Sequence, residues 1–523
     1  MNVPLTLVDF LDRSALHGDR VAVVDEPGGP ASLGEVTHAG LRRRAVGMAR
    51  ELDRLGIAHG ERVAIVSPNS ARFVIALLGV SAFGRVIVPV NFRLNADEVR
   101  YIVEHSGARA LLVDPELAGL DDVTAEHRFL LDGDQDAALF AESDGEPAPW
   151  EPVEDATASI NYTSGTTARP KGVELTHRTL WIHAVTTGWH LGVSPRDVYL
   201  QVLPLFHCNG WGMPYGLAAM GAKQVILRAA AGAEVLARVA THGVTFTCGA
   251  PAVADAVLAA ARAAGTPPGG APGHGRLRMF VGGAAPPSST IQRVQEELGW
   301  EFMHGYGLTE SSPVLTVNRS PAEDDVLPPA ERAGRLARQG VPTVGVRVRV
   351  DDHGELLARS NHILRAYWDD PDATALALDD GWLHTGDGAV VDDEHHVTIT
   401  DRKKDVIITG GENVSSLEVE DHLRAHPDVA DCAVIGVPHD RWGETVKAIV
   451  LLNDGGACDE GELIGFCRDR MAHFKAPTSV EIRDALPRTA TGKVQKYLLR
   501  APYWEASATD PGRPGSSSSS TAM

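Results

Sequence analysis

The chain has 523 residues, with 48 Lys plus Arg against 69 Asp plus Glu, a formal net charge of −21, and 44% hydrophobic residues. That length implies about three to four domains or subdomains, and the excess of acid argues against a nucleic-acid or anionic-membrane footprint. Cys208, Cys248, Cys432, Cys458 and Cys467 form no C-x-x-C pair, which excludes a zinc ribbon or disulfide framework and favours a reducing cytoplasm.

Asp9 and Asp12 interrupt the N-terminal apolar stretch, so it does not read as a signal peptide. Residues 62–66 read as a buried strand. Residues 69–84 follow as an apolar helix containing the longest apolar run, bounded by Arg72 and Arg85 and too short to span a bilayer. Residues 86–90 are a second strand, Asn95 with Glu98 forms a capping box, and residues 110–113 are a third strand. This rhythm predicts an α/β fold: a large N-terminal domain of βα-layered subdomains with parallel or mixed sheets.

Residues 158–161 read as a strand, 265–275 as a surface loop, and 279–281 as another strand. The last hundred residues change to a small α+β pattern: strand 406–409, a helix capped by Ser415 through Arg424, strands 431–437 and 445–452, and helix 460–471. The expected organisation is a large domain over 1–402, a small mobile domain over 403–505 and a disordered tail over 506–523, which lacks apolar residues. No internal repeat is visible.

Residues 162–173, YTSGTTARPKGV, follow the strand at 158–161. Small and hydroxylated residues leave backbone N–H groups free to face phosphate oxygens. Ser164, Thr166 and Thr167 add hydroxyls, Gly165 adds freedom and Lys171 adds charge. No Walker A spacing is present. Taken alone, a Ser/Thr/Gly cluster also fits a plain turn.

The string resembles the phosphate loop of the adenylate-forming superfamily of acyl-CoA synthetases, luciferases and peptide-synthetase adenylation domains. Four further motifs follow in family order: residues 305–310 (GYGLTE), 381–387 (GWLHTGD), 401–405 (DRKKD) and 491–493 (TGK). One departure stands out: Ala168 occupies a position where the family usually has Gly. The closest resemblance is to acyl-CoA synthetases of the fatty acyl-CoA ligase type.

The resemblance implies roles. Thr163, Ser164, Gly165, Thr166, Thr167 and Lys171 would hold ATP phosphates. Gly283, Ala284, Gly305, Tyr306, Gly307 and Thr309 would surround adenine, with Tyr306 stacking on it. Asp387 would take the ribose hydroxyls and Arg402 would donate nearby, while Glu310 and Thr163 would ligate Mg²⁺. Lys493 would bridge the carboxylate and α-phosphate as charge develops. Lysine is scarce here, with only eight among the 48 cations. Lys404 would be the hinge about which the small domain rotates, and Gly410 and Gly411 would pass pantetheine.

Residues 204–213 (PLFHCNGWGM) hold His207, Cys208, Asn209 and Trp211, which with Gly283 would line the acyl pocket. His207 stands where amino-acid-activating relatives place an Asp to pair with an α-ammonium. His207 would approach the carboxylate or the α-phosphate, and Trp211 would gate an acyl tunnel or serve simply as core. Glu394, His395 and His396 read as a solvated turn, and Lys403, Lys404 and Lys475 fit a solvated basic face.

The implied reaction is a carboxylic acid plus ATP giving acyl-adenylate and pyrophosphate, then transfer to CoA. Alternatives are loading of a carrier protein, activation of an aromatic acid or another oxyanion such as nitrite for attack by an amine, and a non-catalytic binder. A cytoplasmic enzyme without membrane anchor or nucleic-acid partner is expected; a homodimer is left open.

Overall fold

The computed structural model describes residues 3–25, 32–117, 119–163, 170–402, 405–409, 412–439, 442–488 and 493–508. It divides into two units. The larger holds Met1–Arg349, Leu357–Thr385 and Val391–Val397; the smaller holds Val350–Leu356, Gly386–Val390 and Thr398 onward. The smaller unit thus begins before residue 403 and takes in two earlier segments. Their tie is non-local in sequence: the Ala389 N–H donates to the Gly354 carbonyl at 3.0 Å, and the Gly386 N–H donates to Glu355 Oε1 at 2.8 Å.

The larger unit contains a nine-stranded and a seven-stranded sheet. In the nine-stranded sheet, Glu301–Gly307, Arg278–Val281, Phe246–Gly249, Val198–Gln201, Lys223–Ile226 and Val21–Val24 run parallel in that order, with antiparallel strands at both ends. In the seven-stranded sheet, Thr157–Thr163, Val86–Val90, Arg62–Val66, Ala108–Val113 and His127–Leu130 are parallel. Lys171–Thr176 and then Ala366–Tyr367 add antiparallel edge strands. Parallel neighbours need crossover connections, which the alternating helices supply.

Local chemistry fixes the helices. Ser70 caps Ala71–Ser81, every residue of which is buried, as an all-round apolar sequence requires. Asn95 and Glu98 form both bonds of their capping box, each at 3.0 Å. Arg72 and Arg85 do not mark a solvated boundary, because both are buried. Arg72 Nε pairs with Asp136 Oδ2 at 2.5 Å, and Arg85 donates to the Ile57 carbonyl and pairs with Asp53. Asn69 fastens the helix start to the nine-stranded sheet. Its amide hydrogens are shared among the carbonyls of Gln201, Leu203 and Leu227, and its oxygen accepts from Leu205 N–H at 2.8 Å.

The smaller unit has a five-stranded sheet: Glu412–Val414, Ile407–Thr409, Gly443–Leu452 and Val429–His439, with Ser479–Ile482 parallel to Gly443–Leu452. Helices Ser416–Arg424, Glu460–Arg468 and Lys496–Ala508 belong to it. Val419, Leu423, Val434, Val446 and Leu463 form its core. Buried Glu420 meets Lys496 Nζ at 2.7 Å. Burial pushes that carboxyl up, but Lys496 and Arg424 outweigh it and hold it below the usual range. The last helix runs to Ala508, three residues into the stretch read as tail. Among the described residues no helix is long and apolar enough to cross a membrane.

Candidate active site

Thr163 and Lys171 are partners in the antiparallel pairing of Thr157–Thr163 with Lys171–Thr176, so the two ends of the Ser/Thr/Gly segment stand side by side. Ser164, Gly165, Thr166 and Thr167 lie outside the described residues. Lys171 Nζ sits 5.1 Å from the centroid of the Tyr367 ring, a cation–π separation. The Tyr367 hydroxyl donates to Glu310 Oε1 at 2.7 Å. Burial, then the Glu310 charge, pushes this phenol well above its ordinary value, so it remains a proton donor. No sequence pattern pointed to Tyr367. It arrives on a two-residue edge strand paired with Lys171–Thr176, 57 residues from Glu310.

Thr309 and Glu310 belong to the 3-10 turn Thr309–Ser311. Two buried imidazoles brace the loop on which this turn lies. The Val314 N–H donates to His183 Nε2 at 3.3 Å, and His362 Nδ1 donates to the Ser311 carbonyl at 2.9 Å. Burial lowers the pKa of both rings, which keeps them neutral. Sequence reasoning missed both: His183 lies inside helix His177–His190 and His362 in a turn, and neither has a local signature.

The segment after half-buried His207 is a left-handed turn. Cys208, Asn209, Gly210, Trp211 and Gly212 have φ of 46, 55, 61, 57 and 67°. Left-handed conformation costs a non-glycine residue about 1–2 kcal/mol, so three such residues need local anchors. Asn209 Oδ1 lies 3.1 Å from Ser159 Oγ and 3.3 Å from Asn161 Nδ2. Trp211 is 5% exposed and meets Phe280 edge-on, with centroids 5.8 Å apart. Cys208 is buried, and burial, then Glu310, raises its thiol pKa, which disfavours the thiolate.

Trp211 lies against the small-residue segment after strand Arg278–Val281. A methyl on Gly282 would sit 3.0 Å from Trp211 Cη2, and one on Gly283 would sit 3.8 Å from Cζ2. Gly283 is half-buried and Ala284 exposed. Gly305 and Gly307 also have a steric reason for being glycine. A side chain at 305 would run into Phe280 and the Thr316 carbonyl, and one at 307 would overlap the Pro313 carbonyl. Half-buried Tyr306 packs with Leu315, Val346 and Ala358.

In the smaller unit, Asp387 is half-buried within strand Trp382–Val391 and does not sit in a turn. Arg402 ends strand Val397–Arg402, and its side chain lies outside the described residues, as do Lys404, Gly410 and Gly411. Lys493 is half-buried, shortly before helix Lys496–Ala508. Lys475 does not form a merely solvated face: its Nζ pairs with Glu418 Oε1 at 2.8 Å. Glu394, His395 and His396 do form a turn, with Asp392 accepting from the N–H groups of Glu394 and His396.

The family model for the AMP-binding enzyme matches residues 10–368, and that for the AMP-binding enzyme C-terminal domain matches residues 418–493. The chain belongs to the AMP-binding enzyme family. It is 34% identical to a 2-methylpropanoate–CoA ligase of Humulus lupulus, over 95% of both chains. An acetate–CoA ligase of the same plant is also 34% identical, over 95% of this chain and 94% of that protein. Among solved structures, a fatty acyl CoA synthetase of Mycobacterium tuberculosis superposes with a TM-score of 0.72 at 31% identity, covering 96% of this chain and 99% of that one.

Proposed function

We propose that this AMP-forming CoA ligase activates a small carboxylic acid lacking an α-ammonium group, and that the residues named above divide the work. The observation that carries the substrate class is the wall formed by Trp211 over Gly282 and Gly283. His207, rather than a carboxylate, opens that segment. Full-length likeness to ligases named for acetate and 2-methylpropanoate supports the same class.

In the first half-reaction a carboxylate oxygen attacks the α-phosphorus of ATP, and the bond to pyrophosphate breaks. Two anions approach, so a cation that bridges them lowers the barrier. Lys493 takes that role, Lys171 neutralises phosphate charge, and His207 orients the acid. Asp387 accepts from the ribose hydroxyls. Glu310 and Thr163 offer a carboxyl and a hydroxyl oxygen, the kind of ligand a hard divalent ion takes. They would hold Mg²⁺, which supplies charge neutralisation at the phosphates. Tyr367 fixes one Glu310 oxygen, leaving the carboxylate its second. In the second half-reaction the CoA sulfur attacks the acyl carbon, and AMP departs with the bonding electrons. Gly410 and Gly411 give pantetheine its path. Five buried, unpaired thiols suit the reducing cytoplasm.

Pyrophosphate release measured over short aliphatic, longer aliphatic, aromatic and amino acids tests this reading. The largest kcat/KM is expected among short aliphatic acids, and preference for an α-amino acid contradicts it. A phosphopantetheinylated carrier protein in place of CoA, and nitrite with an aromatic amine in place of acid, complete the panel.

A further inference from the structure

We propose that Asn209 is a positioning residue that locks the acid-side wall to the strand entering the Ser/Thr/Gly loop. The inference rests on the acid-activating reading above. Asn209 is fully buried and is the second of five consecutive left-handed residues, 208–212. Its side-chain oxygen faces two groups of strand Thr157–Thr163. The Asn161 Nδ2 group can only donate, which sets the Asn209 oxygen toward that strand. Ser159 carries one hydroxyl proton, and its Oγ has two carboxamide oxygens in reach: Asn209 Oδ1 at 3.1 Å and Asn161 Oδ1 at 2.9 Å. Three side chains therefore form one closed cluster spanning 50 residues of sequence.

The cluster has a directional consequence. Asn209 sits two residues after His207 and two before Trp211, the groups assigned to the acid. Strand Thr157–Thr163 runs straight into the segment assigned to ATP phosphates. Left-handed backbone is costly for non-glycine residues, so anchoring Asn209, midway between His207 and Trp211, restrains both flanking side chains. The cluster thereby sets the acid relative to the α-phosphorus, and reaction between two bound molecules is sensitive to such placement.

The test compares variants in steady-state adenylation. Asn209→Gly keeps the left-handed backbone and removes the anchor, and Asn161→Ala removes it from the other side. Both are expected to lower kcat about tenfold, the scale of one lost hydrogen bond, and to raise KM for the acid, with KM for ATP within about twofold. The double variant should be little worse than either single one, and Asn209→Asp, which keeps the accepting oxygen, should recover part of the loss. Unchanged acid kinetics in Asn161→Ala overturns the proposal. So does a fall in melting temperature with no split between acid and ATP parameters. Should Asn209→Gly fail to fold, Asn161→Ala and Ser159→Ala carry the same comparison. Failure of the wild-type chain to release pyrophosphate with any acid would instead refute the underlying reading of function.

Discussion

The Tyr367 hydroxyl donates to Glu310 Oε1 at 2.7 Å while the Lys171 ammonium lies 5.1 Å from the centroid of the same ring. One aromatic side chain thus holds both a carboxylate assigned to Mg²⁺ and a cation assigned to phosphate. Tyr367→Phe keeps the ring and removes the hydrogen bond. It should raise the half-saturating Mg²⁺ concentration about tenfold or more, since a hydrogen bond to a charged group contributes about 1.5–3 kcal/mol. Tyr367→Leu, which also removes the ring face, should additionally raise KM for ATP. Magnesium titrations at fixed ATP read this directly, and identical curves for wild type and Tyr367→Phe would remove Glu310 from the metal role.

Trp211 is buried, and the proposed reading also makes it a wall of the acid site. Trp211→Ala should lower stability by about 3–5 kcal/mol, the usual cost of emptying a buried indole site. It should also shift preference toward bulkier acids, with KM for ATP nearly constant. Denaturant melts and an acid panel separate the two effects. Lost stability with unaltered acid preference would make Trp211 core alone.

The buried pair Arg72–Asp136 has side-chain exposures of 7% and 0%. Asp136 also accepts the Gly133 N–H at 2.8 Å. Asp136→Asn removes the buried carboxylate paired with the guanidinium, and equilibrium unfolding should show a loss of about 3–5 kcal/mol. Replacing both members together, Arg72→Met with Asp136→Leu, should recover most of that loss. A single variant within about 0.5 kcal/mol of wild type, the range of ordinary surface substitutions, would mean the charge is screened by water.

Much of the fold was legible because its signals are local. Strand Arg62–Val66, helix Ala71–Ser81 and the Asn95–Glu98 box are written in neighbouring residues. What escaped was non-local. Tyr367 reaches Glu310 through a two-residue edge strand, Arg72 finds Asp136 sixty-four residues away, and the left-handed turn at 208–212 contains only two glycines. The scarcity of lysine was a mixed signal: Lys475 and Lys496 are held by Glu418 and Glu420 in the smaller unit's own ion pairs. Gly305 and Gly307 were identified as special, but the crowding that demands them comes from Phe280 and Pro313. The low-apolar composition after residue 505 hid the end of helix Lys496–Ala508.

Lys493 is assigned to the adenylation step alone. Lys493→Ala should lower acyl-adenylate formation by about a hundredfold or more, the scale of a lost oxyanion donor. Conversion of synthetic acyl-adenylate to thioester should stay within about threefold of wild type, a barrier change under 1 kcal/mol. Equal loss in both half-reactions would point to a structural role for this half-buried side chain.

The central claim is that the chain couples ATP cleavage to thioester formation through an acyl-adenylate. The most direct measurement is mass spectrometry of a single reaction holding the protein, Mg²⁺, ATP, CoA and 2-methylpropanoate or another short acid. AMP, pyrophosphate and acyl-CoA should appear in equal amounts, and acyl-adenylate should accumulate when CoA is omitted. Formation of ADP and phosphate, or AMP release with no thioester while CoA is present, would contradict the account.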